Sequence, residues 1–400
     1  MFIITAVFVL TTCIDPYTPE LKGYESLLVI DGLVTNDNSS YTVKLSRTVQ
    51  AQNAEPEKVS DATVYVTDNE GLRSEFTRKG NGIYKTDSTV FSGKIGKYYT
   101  LHVLTSDGKE YQSDPCVMEP VPSIDSLYWE KSSQLMNNGT ENIEGIQVYL
   151  DSKAGTNSYF RWDFTETWIF KVPDPAKFKY INDTIILPLD RIREYCWKYR
   201  NSDEVLIKTV KSENAEKVSR LPIYFIATGK SDRLLLQYDI TVKQYSISEA
   251  EYEFWNNLQK VNESGSDIFA SQPFPVISNI HNVTDPNEMV LGYFKVSAVS
   301  ERRKEIMFTE AAVLGLPFYK YPCVRIEMSP SKFPASGSFS KPPTWNEIYE
   351  MYCVTRNFAF VEPIYNDDKK LKYLVFTTKE CANCELTGTS TKPSFWKSRI

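Results

Sequence analysis

The 400-residue chain contains only two histidines, His102 and His281, far apart in sequence. That scarcity nearly excludes a histidine-built metal centre and leaves little equipment for proton transfer near neutral pH. There is no Gly-x-Ser-x-Gly elbow, no His-Glu-x-x-His pair and no glycine-rich phosphate loop. The commonest hydrolase and nucleotide signatures are therefore missing. Positive charge is not in surplus either: the formal net charge is -6 and no basic stripe runs along the chain, which argues against nucleic acid as a partner. No segment repeats at a fixed period. The apolar run at the start, Met1 to Thr12, is too short to span a bilayer.

Against these absences stands an ordinary folded composition, 42% hydrophobic and 24% charged. Aromatics make up 13%, and rings on this scale lean the chain towards β-structure. The opening run ends Leu10-Thr-Thr-Cys13 and gives way at once to polar sequence at Ile14-Asp-Pro16. It resembles the apolar core of a secretion signal closed by a lipobox, although no Lys or Arg precedes it and Thr12 stands where Gly, Ala or Ser is usual. The expectation is a signal over 1–12, a lipid on Cys13 and a tether over 13–23.

From 24 to 117 the text reads as short strands separated by turns. Leu27-Leu-Val-Ile30, Tyr41-Thr-Val-Lys-Leu45, Ala62-Thr-Val-Tyr-Val66 and Tyr98-Tyr-Thr-Leu-His-Val103 carry the rhythm, and Asp68-Asn-Glu-Gly71 is a hairpin signal. About seven strands in this space predict an immunoglobulin-like sandwich. Pro120-Val-Pro122 reads as a hinge into a larger β-rich domain, 118–400. There Tyr159–Phe164, Leu236–Lys243 and Met289–Val296 alternate with period two, as in antiparallel sheet with one wet face. Ser248-Glu-Ala-Glu251 and Thr344-Trp-Asn-Glu347 are capping boxes that predict two helices, the first carrying Phe254, Trp255, Leu258 and Val261 on its apolar face. Residues 171–188 and 328–343 read as long loops.

Apart from Cys13, six cysteines remain: Cys116, Cys196, Cys323, Cys353, Cys381 and Cys384. An even number in an exported chain points to structural disulfides, whose pairing the sequence leaves open. Cys381-Ala-Asn-Cys384 also admits a redox dithiol or half of a zinc site, but loop sequence follows it where a redox site needs a helix. His102 sits in an alternating strand as an ordinary strand residue. His281 is read as a hydrogen-bonding residue, with an acid–base role left open. Asp61, Asp68, Asp367 and Asp368 are turn residues without calcium-loop spacing. The aromatics admit a sugar- or peptide-binding platform, or simply a β-core.

Several segments in order then look familiar: Leu28-Val-Ile-Asp-Gly-Leu-Val34, Tyr111-Gln-Ser-Asp-Pro115, Val121–Tyr128, Tyr195-Cys-Trp197, Gln244–Ser248, Asn279-Ile-His281, Val290-Leu-Gly-Tyr-Phe294, Cys381–Thr389 and Lys392–Trp396. Together they resemble family 4249 of the domains of unknown function, lipoproteins of Bacteroidota outer membranes, over nearly the whole mature chain. The resemblance implies an outer-membrane address and a TonB-dependent transporter as neighbour. It implies no chemistry and no cofactor. The leading expectation is a non-enzymatic accessory of such a transporter in ligand capture or uptake. The alternatives are a surface adhesion or assembly protein, and a cryptic hydrolase.

Overall fold

Alternation of apolar and polar residues decides most of the architecture in the computed structural model, which describes residues 26–49, 55–136, 139–153, 155, 157–182, 185–210, 217–264, 276–333 and 341–397. The signal-like run, Cys13 and the tether lie outside the described residues. Among the described residues, nine strands precede the Pro120–Pro122 segment: β1 (Leu28–Thr35), β2 (Thr42–Arg47), β3 (Glu57–Lys58), β4 (Thr63–Asp68), β5 (Arg73–Gly80), β6 (Ile83–Lys85), β7 (Tyr98–Leu104), β8 (Glu110–Ser113) and β9 (Cys116–Val117). Fifteen follow: β10 (Ile124–Met136), β11 (Glu141–Lys153), β12 (Tyr159–Lys171), β13 (Phe178–Asn182), β14 (Ile185–Pro188), β15 (Tyr195–Asn201), β16 (Leu206–Thr209), β17 (Lys217–Ala227), β18 (Gln237–Ser246), β19 (Ile280–Asn282), β20 (Leu291–Ser297), β21 (Val299–Met307), β22 (Ile326–Met328), β23 (Phe358–Tyr365) and β24 (Leu371–Thr378).

The first half is one folded-over sheet, in the order β19-β8-β7-β4-β5-β6-β2-β1-β20. Strand β5 makes the fold: Arg73–Phe76 pairs with β4, whereas Thr77–Gly80 pairs with β6. Leu28, Ile30, Val43 and Leu45 from one side meet Val64, Val66, Leu101 and Val103 from the other in a single core. The predicted turn at Asp68–Gly71 is present: the Asp68 carboxylate accepts from the backbone N–H of Glu70 and Leu72 at 2.9 Å each, and Gly71 takes a positive φ of 81°.

This half departs from the expected 24–117 sandwich in two ways. Its middle strand belongs to both sides, and its two edges are closed by late segments: β19 pairs antiparallel with β8, and β20 pairs parallel with β1. The Met289–Val296 segment, expected in the larger sheet, therefore lies in the first. Period-two patterning identifies a strand but says nothing of which sheet receives it. Gly292 permits the pairing, since a Cβ there would collide with the Ile30 carbonyl.

The second half stacks β10-β11-β17 on β15-β12-β18-β21, with β16 beside the start of β12. Ile146, Val148 and Leu150 of the first sheet pack on Phe160, Trp162, Phe164, Tyr238, Ile240 and Val242 of the second. The predicted inward faces of β12 and β18 are thus the core. The face of β12 expected to be wet is not wet at its start: Tyr159 and Arg161 are buried too. Helix α1 (Glu249–Ser264) packs over them. A short helix, α2 (Phe308–Ala312), follows β21 directly.

A third layer has its own core of Tyr180, Ile348, Tyr352, Phe360, Leu374 and Phe376. It combines β22-β24-β23 with the β13–β14 hairpin and α3 (Trp345–Tyr349), which continues as a π turn. Both arms of the predicted capping box are made, Glu347 N–H to Thr344 Oγ1 at 3.2 Å and Thr344 N–H to Glu347 Oε2 at 2.7 Å. The expected loop 171–188 contains the β13–β14 hairpin instead. Flanking prolines and lysines masked a short alternating stretch. Of 328–343, a single 3-10 turn at Pro330–Lys332 is described, and 334–340 lie outside the described residues.

Disulfides join Cys196 of β15 to Cys384 (Cα–Cα 5.5 Å), and Cys323 to Cys381 of α4 (Lys379–Ala382; Cα–Cα 6.0 Å). Cys381 and Cys384 bond to different partners, so they do not form a Cys-x-x-Cys dithiol. Cys116 and Cys353 are free thiols, a correction to the expectation that all six pair. Hydrogen bonds tie the chain around Pro120–Pro122 to its surroundings. The Pro122 carbonyl accepts from Gln244 Nε2 at 2.9 Å, the Ile124 carbonyl accepts from Arg302 at 3.2 Å, and Val299 N–H donates to Asn36 Oδ1 at 2.7 Å.

Candidate binding hollow between the two halves

Where α1 passes over the edge of the first half it leaves a hollow of about 410 Å³, floored by Glu251 and walled by Phe254, Tyr293, Phe294 and Val296. The helix start explains the floor. Ser248 Oγ accepts from Glu251 N–H at 3.1 Å, as a capping box requires. The Glu251 side chain, however, turns inward instead of returning to the cap, and is only 2% exposed. Its Oε1 accepts from Trp255 Nε1 at 3.2 Å, one helical turn on. Asp114 and Glu253 stand exposed at the rim, and no Lys, Arg or His is among the described lining residues.

The nearest cations are already taken. Arg161 Nη1 pairs with Asp163 at 3.0 Å, its guanidinium lies 4.1 Å from the centre of the Tyr245 ring, and its Nε comes no nearer to Glu251 than 4.0 Å. Lys295 pairs with Asp31. Glu251 is thus a buried acid whose ion-pair partner among the described residues, Arg161 at 4.0 Å, is shared with Asp163. Burial pushes its carboxyl above the ordinary value, with Arg161 opposing.

The free thiol of Cys116 lines the same hollow. Asn279 Nδ2 approaches its sulfur at 3.2 Å, and Asn279 itself clamps Phe294, donating to its carbonyl and accepting from its N–H at 2.9 Å each. Burial raises the Cys116 thiol to about 12, so it stays neutral and is a poor nucleophile. His281 sits on β19, 3.1 Å from Asp114, but its side chain is 62% exposed and outside the hollow. His102 behaves as a strand residue: it stacks on Tyr65 with centroids 4.6 Å apart and meets Thr67 Oγ1 at 3.0 Å, and burial lowers its pKa. Sequence reasoning took Glu251 for a capping residue alone. Trp255 four positions on, inside the apolar face, was the signal that this acid points inward.

A second hollow, about 540 Å³, lies in the larger half around Asp232. Here the acid is fully answered, by Lys198 Nζ at 2.7 Å, Trp168 Nε1 at 2.9 Å and the Tyr321 hydroxyl at 3.1 Å. Its rings are covered by the protein's own cations: Arg233 lies 4.5 Å from the Trp168 centroid and Lys198 lies 4.2 Å from that of Phe170. Arg233 continues to buried Glu166 at 2.7 Å, which also accepts from Tyr238 at 2.9 Å and Arg200 at 3.2 Å. These aromatics are committed to the core. Among the described residues no group of three or more His, Cys, Asp or Glu side chains is placed to hold a metal ion.

Comparison with known proteins adds a family and little else. A family model described as "Domain of unknown function (DUF4249)" matches residues 14–303, well over half the chain. The cysteine-rich tail read as part of the resemblance lies beyond that span. No curated protein matches. A solved structure titled "Biofilm associated protein - BSP domain" is 9% identical with a TM-score of 0.11, covering 72% of this chain, and this chain spans 62% of that one; so low a score carries no argument.

Proposed function

This chain belongs to the DUF4249 family, and from that premise we propose that it is a binding protein of the bacterial outer membrane, held by a lipid on Cys13, that passes a small molecule to a TonB-dependent transporter without chemistry of its own. The observation that carries the binding reading is the junction hollow. Its volume of about 410 Å³ falls within the range of roughly 300–1,000 Å³ usual for small-molecule sites, and it combines apolar walls with two buried polar groups, Glu251 and Asn279. A neutral thiol in the hollow and an exposed imidazole outside it supply no activated nucleophile, which supports binding over turnover.

The anchor reading rests on the apolar run that ends at Cys13, and is checked by mass spectrometry of the mature N-terminus. Cleavage before Cys13 with an acyl mass on it is expected, and an unmodified thiol overturns it. For the partner, the full chain is purified from native membranes in mild detergent, where a TonB-dependent transporter is expected to copurify. Repeated recovery without one rejects the transport reading in favour of adhesion or assembly.

A further inference from the structure

We infer that the junction hollow selects an organic cation: a small ammonium ion with an apolar body, its charge on Glu251 and its body against Phe254, Tyr293 and Val296. The inference rests on the binding reading above and names the ligand class of that same site.

Charge pairing carries it. Two basic side chains stand near Glu251: Arg161 divides its one charge between Asp163 at 3.0 Å and Glu251 at 4.0 Å, and Lys295 pairs with Asp31. Among the described residues, Trp255 is the one side chain within hydrogen-bond distance of the Glu251 carboxylate. A buried carboxylate in this position either keeps a proton or takes a cation from the open side. The open side is acidic, because Asp114 and Glu253 line the rim. Ring faces beside a carboxylate are a favourable environment for an ammonium ion, since the π quadrupole and the anion act in the same direction. A bare metal ion fits poorly: no described cluster supplies three ligands, and the walls are largely apolar. An anion would meet three carboxylates, Asp114, Glu251 and Glu253, and no lining cation among the described residues.

The test uses the full chain in detergent and three probes of one shape: phenethylammonium, 2-phenylethanol and phenylacetate. Calorimetric titration is expected to give saturable binding of phenethylammonium, weaker binding of the neutral alcohol and none of the acid. Glu251→Gln is expected to weaken phenethylammonium by roughly tenfold or more, the size of a lost charge-assisted hydrogen bond, while leaving the alcohol unchanged. Equal affinity for ammonium and alcohol, or an unchanged ammonium affinity in Glu251→Gln, overturns the cation inference but leaves the binding reading intact. If none of the three probes binds, both fail. Should Glu251→Gln not fold, Ala250→Trp at the exposed mouth replaces it, and unaltered ammonium binding there overturns the inference.

Discussion

The junction hollow and the Asp232 hollow are similar in volume, about 410 and 540 Å³, and each sets an acid among aromatic rings. They differ in who answers the acid. Asp232 has a lysine, an indole and a phenol on it, and the adjoining rings are capped by Arg233 and Lys198. Glu251 has one indole and, at 4.0 Å, an arginine shared with the nearer Asp163. A polar cluster closed on itself commits its interactions to holding the fold, whereas one with an incompletely answered charge retains interaction energy for something arriving from outside. Volume alone would have favoured the Asp232 hollow.

The sharpest way to break this comparison is Glu166→Ala, which strips the acid from the closed network. It leaves Arg233 and Arg200 facing an empty site, and is expected to cost about 3–5 kcal/mol. A shift in denaturant midpoint worth less than about 1 kcal/mol would place the network with ordinary surface pairs. Next comes the pair Cys196→Ala with Cys384→Ala, expected to cost about 2–4 kcal/mol. Because Cys381 and Thr387 line the Asp232 hollow, this variant should disturb that hollow and leave phenethylammonium binding at the junction as it was. A parallel loss of binding would mean that the two sites are not independent. Asp232→Asn keeps the shape but weakens three charge-assisted contacts, and a loss of about 1–3 kcal/mol is expected by urea titration.

The smallest effect belongs to Glu251→Gln without ligand. Burial holds the folded carboxyl above its ordinary value of 4.5. The folded protein thus keeps a proton that the unfolded chain has already released. Glu251's contribution to stability is full below the unfolded value and declines as pH rises through the folded one. Glutamine does not titrate, so the variant should match the parent in acid and lose less stability towards neutral pH. A variant less stable than the parent at neutral pH would show Glu251 to be held by its own partners, as Asp232 is.

How much of this was legible in the sequence varies with the kind of fact. Phe160, Trp162 and Phe164 announce a strand with a buried face through their own spacing. So do Tyr238, Ile240 and Val242, and the Thr344–Glu347 capping box forms with both arms. These are local facts, set within a few residues. The partner of a strand is not local: Leu291–Ser297 alternates as well as any segment, yet nothing in it names β1 as its neighbour. The same limit hid the cysteine pairing and the free state of Cys116, which depend on where two distant backbones meet. Glu251 was half legible. Its place three residues after Ser248 said helix start, and only the packing of α1 on β12 made it the floor of a cavity.

One junction has a bearing on the order in which the molecule can form. Strand β20 ends at Ser297 in the first sheet and β21 begins at Val299 in the second, with Ala298 alone between them. The partner that covers the β1 edge is thus synthesised long after β1, and the ribosome must pass Ser297 before the first half can close. Until then β1 presents unpaired backbone groups along its length, the kind of edge that recruits other strands. Contacts so remote in sequence also slow folding, since the chain between them must first be brought round. A fragment cut at Pro122 is therefore a sheet with an unguarded β1 edge, and it is expected to self-associate, which light scattering of that fragment checks.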